Sequence, residues 1–451
     1  MFNPHVSARL SSSSSESGST KNQVNVVLVH INGLSQDCYK NENTFQNSMN
    51  QFLEEAVKKK TITENINANS VHCESEVKDI SNINNETSII TNSITNNHGT
   101  IKHDAEIIIF PELIGAWLVA LNEQPFIFLI PSQLIAMIFI AAANIIQFMR
   151  YFIVECFSYF IDLRHLTNLF SFVTWEGLIY RSIYKLKSQA MFEVYDKTFS
   201  EIAKQRRAYV VAGSIYLPKI EYNSKMKRLT NDGLYNQCVV YDPFGNIAHV
   251  STKLFPSEDE YHLLTKRNKS VHINANNFCF NAKGLGRVCV LVGTDSWLDE
   301  CYPWSSYNDD VKFNDDQDLS RVPQFIIVPA FSSPAVDWNR PWQGYPHHSV
   351  AMTGSNVQEF AVHQISPTLG ELWKACLAHQ AQQAPEMAFS QNNSTTKSPS
   401  SPYFVSCFCC GKLWSKDVFG ESFIKLKQHK NLITCRSCLN FSLEVHTRVT
   451  L

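Results

Sequence analysis

Short apolar runs rich in β-branched residues alternate along this chain with stretches whose apolar residues recur at three and four positions. "VNVVLVHI" (Val24 to Ile31) is a run of the first kind, the composition of a strand buried on both faces. Phe45, Met49, Phe52, Leu53 and Ala56 then fall at helical spacing and predict one buried helix face. "AEIIIFPEL" (Ala105 to Leu113) is again a buried strand, ending on Pro111 and Glu112. "FSEIAKQRR" predicts a helix that leads into the strand "AYVVAGSIYL". "LYNQCVVYDPFGNIAHVSTKLF" predicts a hairpin turning at Asp242 to Asn246, where proline and glycine supply the turn. Further strands are predicted over Val288 to Val292, Val322 to Phe331, "YFVSCFCC" and "ITCRSCLNFSLEV", with a helix over Leu369 to Ala381. Strand and helix alternate throughout, which predicts an α/β fold.

Three kinds of segment depart from this alternation. Residues 1–22 are Ser-rich and polar, with no periodicity that would let them pack, and are expected to form a disordered tail before one domain over 23–451. Two polar segments, 61–102 and 382–401, are expected to loop out of that domain, because they bury too little apolar surface to offset their ordering entropy. The third is the most hydrophobic part of the chain, 126–173. Its first part, Phe126 to Phe148, is long enough to cross a bilayer, although Pro131, Gln133 and Asn144 interrupt it. Flanking segments that share one domain require an even number of crossings, and the second limb carries Glu155, Asp162, Arg164 and His165, which makes a return crossing costly. A helical hairpin is expected instead, either a lid on the domain or a contact with a membrane surface.

Composition narrows the partners. The 39 basic and 41 acidic residues give a net charge of -2, so no field draws the chain to nucleic acid, and none is expected as a partner. The first residues hold no apolar run that could serve as a signal-peptide core, so a cytoplasmic protein is expected, with membrane association through 126–173 left open. Its 13 cysteines are then expected to be reduced thiols. Cys407, Cys409 and Cys410, with Cys435 and Cys438, make a weak zinc candidate centred on Cys407, Cys410, Cys435 and Cys438. In a regular strand Cys407 and Cys409 would share one face and Cys410 take the other, which favours buried thiols, and no cofactor is expected. His347 and His348, with Trp338 and Trp342, could line a pocket or form a half-exposed loop.

The chemistry enters with an ordered set of pieces: "IIIFPEL", "VVAGSIY", "DPFGNIAHVSTKLF" and "GRVCVLVGTDSWLDE", followed by "IIVPAF" and "FGESFI". Together they resemble the nitrilase or carbon–nitrogen hydrolase superfamily. The resemblance implies a four-layer α-β-β-α sandwich, a homodimer paired through helices, and a small amide or nitrile as ligand. In that family a cysteine thiolate attacks the carbon, a glutamate acts as general base, and a lysine stabilises the oxyanion. The resemblance puts the base at Glu112, the lysine at Lys253 and a supporting acid at Glu260 or Glu258, with Glu260 favoured. Asp295 and Trp297 fall on the positions after the nucleophile, and Trp338 is a weaker binding candidate.

The nucleophile position itself holds Gly293, which has no side chain to attack with. Cys289 lies about 13 Å back along an extended strand, and the side chain of Thr294 would point to the opposite face. Three readings follow. The chain is a homologue that lost its nucleophile and keeps a ligand pocket or an assembly role; an active amidase, nitrilase or amide-forming acyltransferase that uses another nucleophile, such as Thr294 or Cys289; or a zinc or interaction module built on the C-terminal cysteines.

Overall fold

The computed structural model describes residues 19–58, 62–63, 105–161, 172–223, 226–265, 273–304, 322–334, 338–341, 368–384, 402–425, 433–435 and 439–448. The first half contains β1 (Ser19–Leu28), β2 (Ile31–Ser35), α1 (Glu42–Lys58), β3 (Ile62–Thr63) and β4 (Ala105–Ile109). Then come α2 (Gln133–Ala143), α3 (Ile145–Ile161), α4 (Phe172–Arg206), β5 (Tyr209–Leu217), β6 (Ile220–Tyr222) and β7 (Lys227–Leu229). They are followed by β8 (Tyr235–Tyr241), β9 (Ile247–Thr252), β10 (Cys279–Ala282), β11 (Gly286–Val290) and β12 (Phe325–Pro329). The last part holds α5 (Leu369–Gln383), β13 (Tyr403–Cys407), β14 (Cys409–Leu413), β15 (Lys416–Val418), β16 (Ser422–Lys425), β17 (Ile433–Cys435) and β18 (Leu439–Arg448).

Two sheets carry the fold, ordered β3-β18-β1-β4-β5-β8-β9 and β10-β11-β12-β13-β16-β17. Their centres are parallel, β1 with β4 and β5 in one and β11 with β12 and β13 in the other. Parallel central strands are covered on both faces, which is why "IIIF" and "FIIV" are unbroken apolar runs rather than alternating ones. The period of two along each strand divides the core. Val26, Ile107 and Val240 meet Val288, Val290 and Ile327 between the sheets. Val27, Ile108 and Val210 face the layer of α1 and α4, whereas Cys289, Ile326 and Phe404 face α5. The result is the α-β-β-α order of layers. Each fully buried Ile or Val at these positions contributes about 1.5–3 kcal/mol by leaving water.

Several boundaries differ from the sequence reading. β1 begins at Ser19, within the Ser-rich segment, because it pairs antiparallel with β18 from Ser19 opposite Arg448 onwards. That ladder joins main chains and leaves no apolar pattern in the sequence. The run Val24 to Ile31 is two strands, since the chain leaves the large sheet after Leu28 and β2 joins the small sheet β15-β14-β2. "YFVSCFCC" likewise breaks at Phe408 between β13 and β14, which belong to different sheets. Of the polar segments, Ile62–Thr63 forms the short β3 and α5 extends to Gln383, while 64–102 and 385–401 lie outside the described residues.

The described residues of the apolar segment are largely helical, with a different division from the one expected. α2 and α3 meet at Asn144 in a bend of 111°, and α4 starts at Phe172 and runs unbroken for 35 residues through the helix expected near Phe199. Ile183, Tyr184, Met191, Tyr195, Phe199 and Ile202 keep one face of α4 on the first sheet. Among the described residues no single helix is long and apolar enough to cross a membrane.

Candidate functional site

Glu112 sits just beyond β4, and its turn is fixed from β5. Phe110 N–H donates to Val211 O at 2.9 Å, and Leu113 N–H donates to Ser214 Oγ at 2.9 Å. Gly213 has φ +70°, and a Cβ there would lie 2.0 Å from Pro111 O. The Gly213-Ser214 pair therefore has a mechanical role: the glycine admits the Pro111 carbonyl, and the serine closes the turn that presents Glu112.

Lys253 follows β9, with its N–H donating to Asn236 O at 2.8 Å. Its ammonium donates to Glu112 Oε1 at 2.9 Å and to Glu260 Oε2 at 2.7 Å. Glu260 Oε2 also accepts from Ser257 N–H and Ser257 Oγ, at 2.8 and 2.9 Å. Asn236 Nδ2 spans both acids, donating to Glu112 Oε1 at 2.9 Å and Glu260 Oε1 at 2.7 Å, and Tyr216 OH donates to Glu260 Oε1 at 3.1 Å. Glu112, Lys253, Glu260 and Asn236 are all buried. Glu260 is thus the acid that joins Lys253, and the side chain of Glu258 lies outside the described residues.

One cation and two carboxylates share this site, so charge neutrality requires a proton on one acid. Burial pushes the Glu112 carboxyl up to about 7, against the downward pull of Lys253. Burial also opposes charge on Lys253, but Glu112 and Glu260 outweigh it and hold the ammonium above its ordinary range. On Glu260, burial is outweighed by Lys253 and the Ser257 bonds, which keep the carboxyl below its ordinary value. Lys253 and Glu260 form the ion pair, and Glu112 is the member that titrates near neutrality.

Gly293 opens a 3-10 turn, Gly293–Trp297, which follows β11 after Leu291 and Val292. It has φ +56°, and a Cβ there would stand 2.5 Å from Glu112 Oε2. The carboxylate oxygen that accepts neither the Lys253 nor the Asn236 bond therefore faces Gly293. Asp295 accepts from Leu254 N–H at 2.8 Å and Phe255 N–H at 2.9 Å, tying this turn to the segment after Lys253. Burial pushes its carboxyl up to about 7, opposed by those two backbone bonds. Thr294 Oγ1 donates to Phe255 O at 3.2 Å, and Ser296 Oγ donates to Gly293 O at 2.8 Å.

Other sequence candidates lie elsewhere. Trp297 packs edge-on against Trp373 and Trp338 stacks on Phe423, both in the core between the second sheet and α5. Cys289 faces the same outer core, and burial raises its thiol far above the ordinary value. Cys407 Sγ lies between the sheets, 3.4 Å from Val29 O, whereas Cys410 Sγ lies 3.6 Å from His30 Nε2. The break at Phe408 separates these thiols, and among the described residues no group of three His, Cys, Asp or Glu is arranged to hold a metal. Only the backbone of Cys435 is described, while Cys438, Trp342, His347 and His348 lie outside the described residues. The sequence reading missed Asn236 and Tyr216. Two amides, Asn236 and Gln237, at the start of a strand that is otherwise apolar and aromatic, "YNQCVVY", were the available signal for Asn236.

No protein-family model and no curated protein matches this chain. Among solved structures, a Saccharomyces cerevisiae member of branch 10 of the nitrilase superfamily aligns over 94% of this chain and 90% of its own, at 12% identity and TM-score 0.41. A carbon–nitrogen hydrolase from Helicobacter pylori G27 aligns over 94% and 89%, at 11% identity and TM-score 0.40. A variant of the Nesterenkonia AN1 amidase, from the nitrilase superfamily, aligns over 94% and 91%, at 10% identity and TM-score 0.36. These likenesses are too distant to carry any residue's role across.

Proposed function

We propose that this protein is a carbon–nitrogen hydrolase homologue without a covalent nucleophile, which keeps Glu112, Lys253 and Glu260 as a site for a small amide-like ligand. The observation that carries the reading is Gly293 facing Glu112 Oε2, with the acid and lysine still joined. A general base at Glu112 then has no side-chain proton to take at the position it faces. Thr294 and Ser296 are bonded to main-chain carbonyls, and Cys289 faces the outer core, so neither neighbouring hydroxyl nor the nearest upstream thiol is presented as a substitute.

What the cluster still offers is complementary to a primary amide. Asn236 Oδ1 is a buried acceptor without a partner among the described residues, and Glu112 Oε2 accepts neither bond that holds Oε1. Above about pH 7, where Glu112 is ionised, these two acceptors suit the two N–H groups of an amide. The Lys253 ammonium has three donors and spends two on the acids, leaving one for the amide carbonyl.

The test is intact-mass analysis after incubation with a panel of activated amides and nitriles, paired with calorimetric titration of simple amides. The protein is expected to gain no acyl mass yet to bind an amide, with binding lost in Lys253→Met and Asn236→Leu. An acyl adduct on the unaltered protein, mapped to one peptide, would name a nucleophile and overturn the reading.

A further inference from the structure

Helices α2 and α3 are apolar on their outward face as well as on the face that packs Met137, Ile140 and Phe148 into the core. A helix on a water-soluble domain turns its apolar stripe to the core and its charges outward. Here Leu129 just before α2, Ile146 near the start of α3 and Phe157 near its end are 82%, 80% and 66% exposed. Outside 126–175, the exposed large apolar side chains among the described residues are Tyr222, Met226 and Phe244.

The charges of 126–158 are Arg150 and Glu155. Glu155 is buried against α4, where Arg181 binds it at 2.9 Å and Lys185 forms a second ion pair. The sole acid of the pair of helices is thus turned inward and neutralised. Arg150 stays exposed, so the outward face carries a cation and no anion.

We propose that α2 and α3 dock this protein on the surface of an anionic bilayer, with their outward faces among the acyl chains of one leaflet. The charge pattern selects that partner: an apolar face with one free cation and a hidden acid complements acidic headgroups over hydrocarbon. The geometry sets the depth. At 1.5 Å per residue α2 is about 16 Å long and α3 about 25 Å, each short of a hydrocarbon core of about 30 Å. The bend of 111° lays the two in a surface rather than along one axis. The anchor is also tied to the domain that carries the site, because α3 pairs through Glu155 with Arg181 and Lys185 of α4 while Met137, Ile140 and Phe148 pack into the core. Docking would therefore hold the Glu112 site at a fixed distance from the headgroups.

The experiment is flotation of the full chain with phosphatidylcholine vesicles made with and without phosphatidylserine. The protein is expected to float, more completely with phosphatidylserine. The double variant Ile146→Asp with Phe157→Asp is expected to lose about tenfold or more in bound fraction, since each puts a charge among acyl chains. Both side chains are exposed, so its melting temperature is expected to match the wild type. Arg150→Glu is expected to weaken binding only to the phosphatidylserine vesicles, and Phe244→Asp, on a distant hairpin turn, to float as the wild type does. Three results would overturn the proposal. They are a wild type that floats with neither vesicle, a double variant that floats undiminished, or a wild type that does not float and sediments as a dimer which the double variant converts to monomer. The last would mean that a second copy covers this face.

Discussion

Glu112→Gln isolates the proton that this site requires. Glutamine keeps the size and the Oε1 acceptor for Lys253 and Asn236 but cannot ionise. The wild-type carboxyl titrates at about 7 when folded, against 4.5 for the ordinary group, chiefly because it is buried. A folded value above the unfolded one means that the folded state binds more protons between the two. The stabilisation from Glu112 is therefore complete below about 4.5 and is lost as pH rises through about 7. Between pH about 5 and about 8.5 that loss is about 2–3 kcal/mol, at about 1.36 kcal/mol per unit. Urea denaturation of both proteins at the two pH values gives the difference directly. The wild type is expected to lose about 2–3 kcal/mol more than the variant on going to the higher pH. Asp295 titrates in the same range in both proteins and cancels to first order. A gap between the two proteins that does not change with pH would show that Glu112 is ionised in the fold and that the charge account above is wrong.

Lys253→Met removes the one cation from two buried carboxylates and is expected to cost about 3–5 kcal/mol in urea denaturation. Much of that cost should return when it is combined with Glu112→Gln, a coupling read from the double-mutant cycle. Gly293→Ala forces a Cβ into φ +56° and to 2.5 Å from Glu112 Oε2, so it is expected to cost more than about 1 kcal/mol, with part recovered in a Glu112→Ala background. Gly213→Ala, whose Cβ would meet Pro111 O at 2.0 Å, is expected to show the larger loss of melting temperature and no such recovery.

The layer order was legible because unbroken apolar runs and helical spacing are written locally, as in Ile107–Ile109 and in Phe45, Met49 and Leu53. Glu112 and Lys253 were picked out by the resemblance of "IIIFPEL" and "DPFGNIAHVSTKLF" to ordered family motifs, Glu112 following a buried strand and Lys253 a half-buried one. What such patterns do not encode is pairing between distant segments. Nothing near Ser19 signals Arg448, and nothing near Tyr235 signals that Asn236 spans two acids from other loops. The tryptophans misled for a related reason. Trp297 and Trp338 near strand ends read alike whether they face a pocket or a core, and here both are core. The Glu155 charge pointed against a second crossing, and its pairing with Arg181 and Lys185 shows how the helix accommodates it.

The pairing of β1 with β18 also sets a schedule for synthesis. β1 leaves the ribosome more than 400 residues before its antiparallel neighbour, Leu439 to Arg448. β4 can join one edge of β1 early, while the other edge stays unpaired until β18 has been made. A chain stopped before β18 would therefore display an open strand edge able to recruit other chains. Nascent chains of this protein should accordingly depend on chaperones until β18 is made.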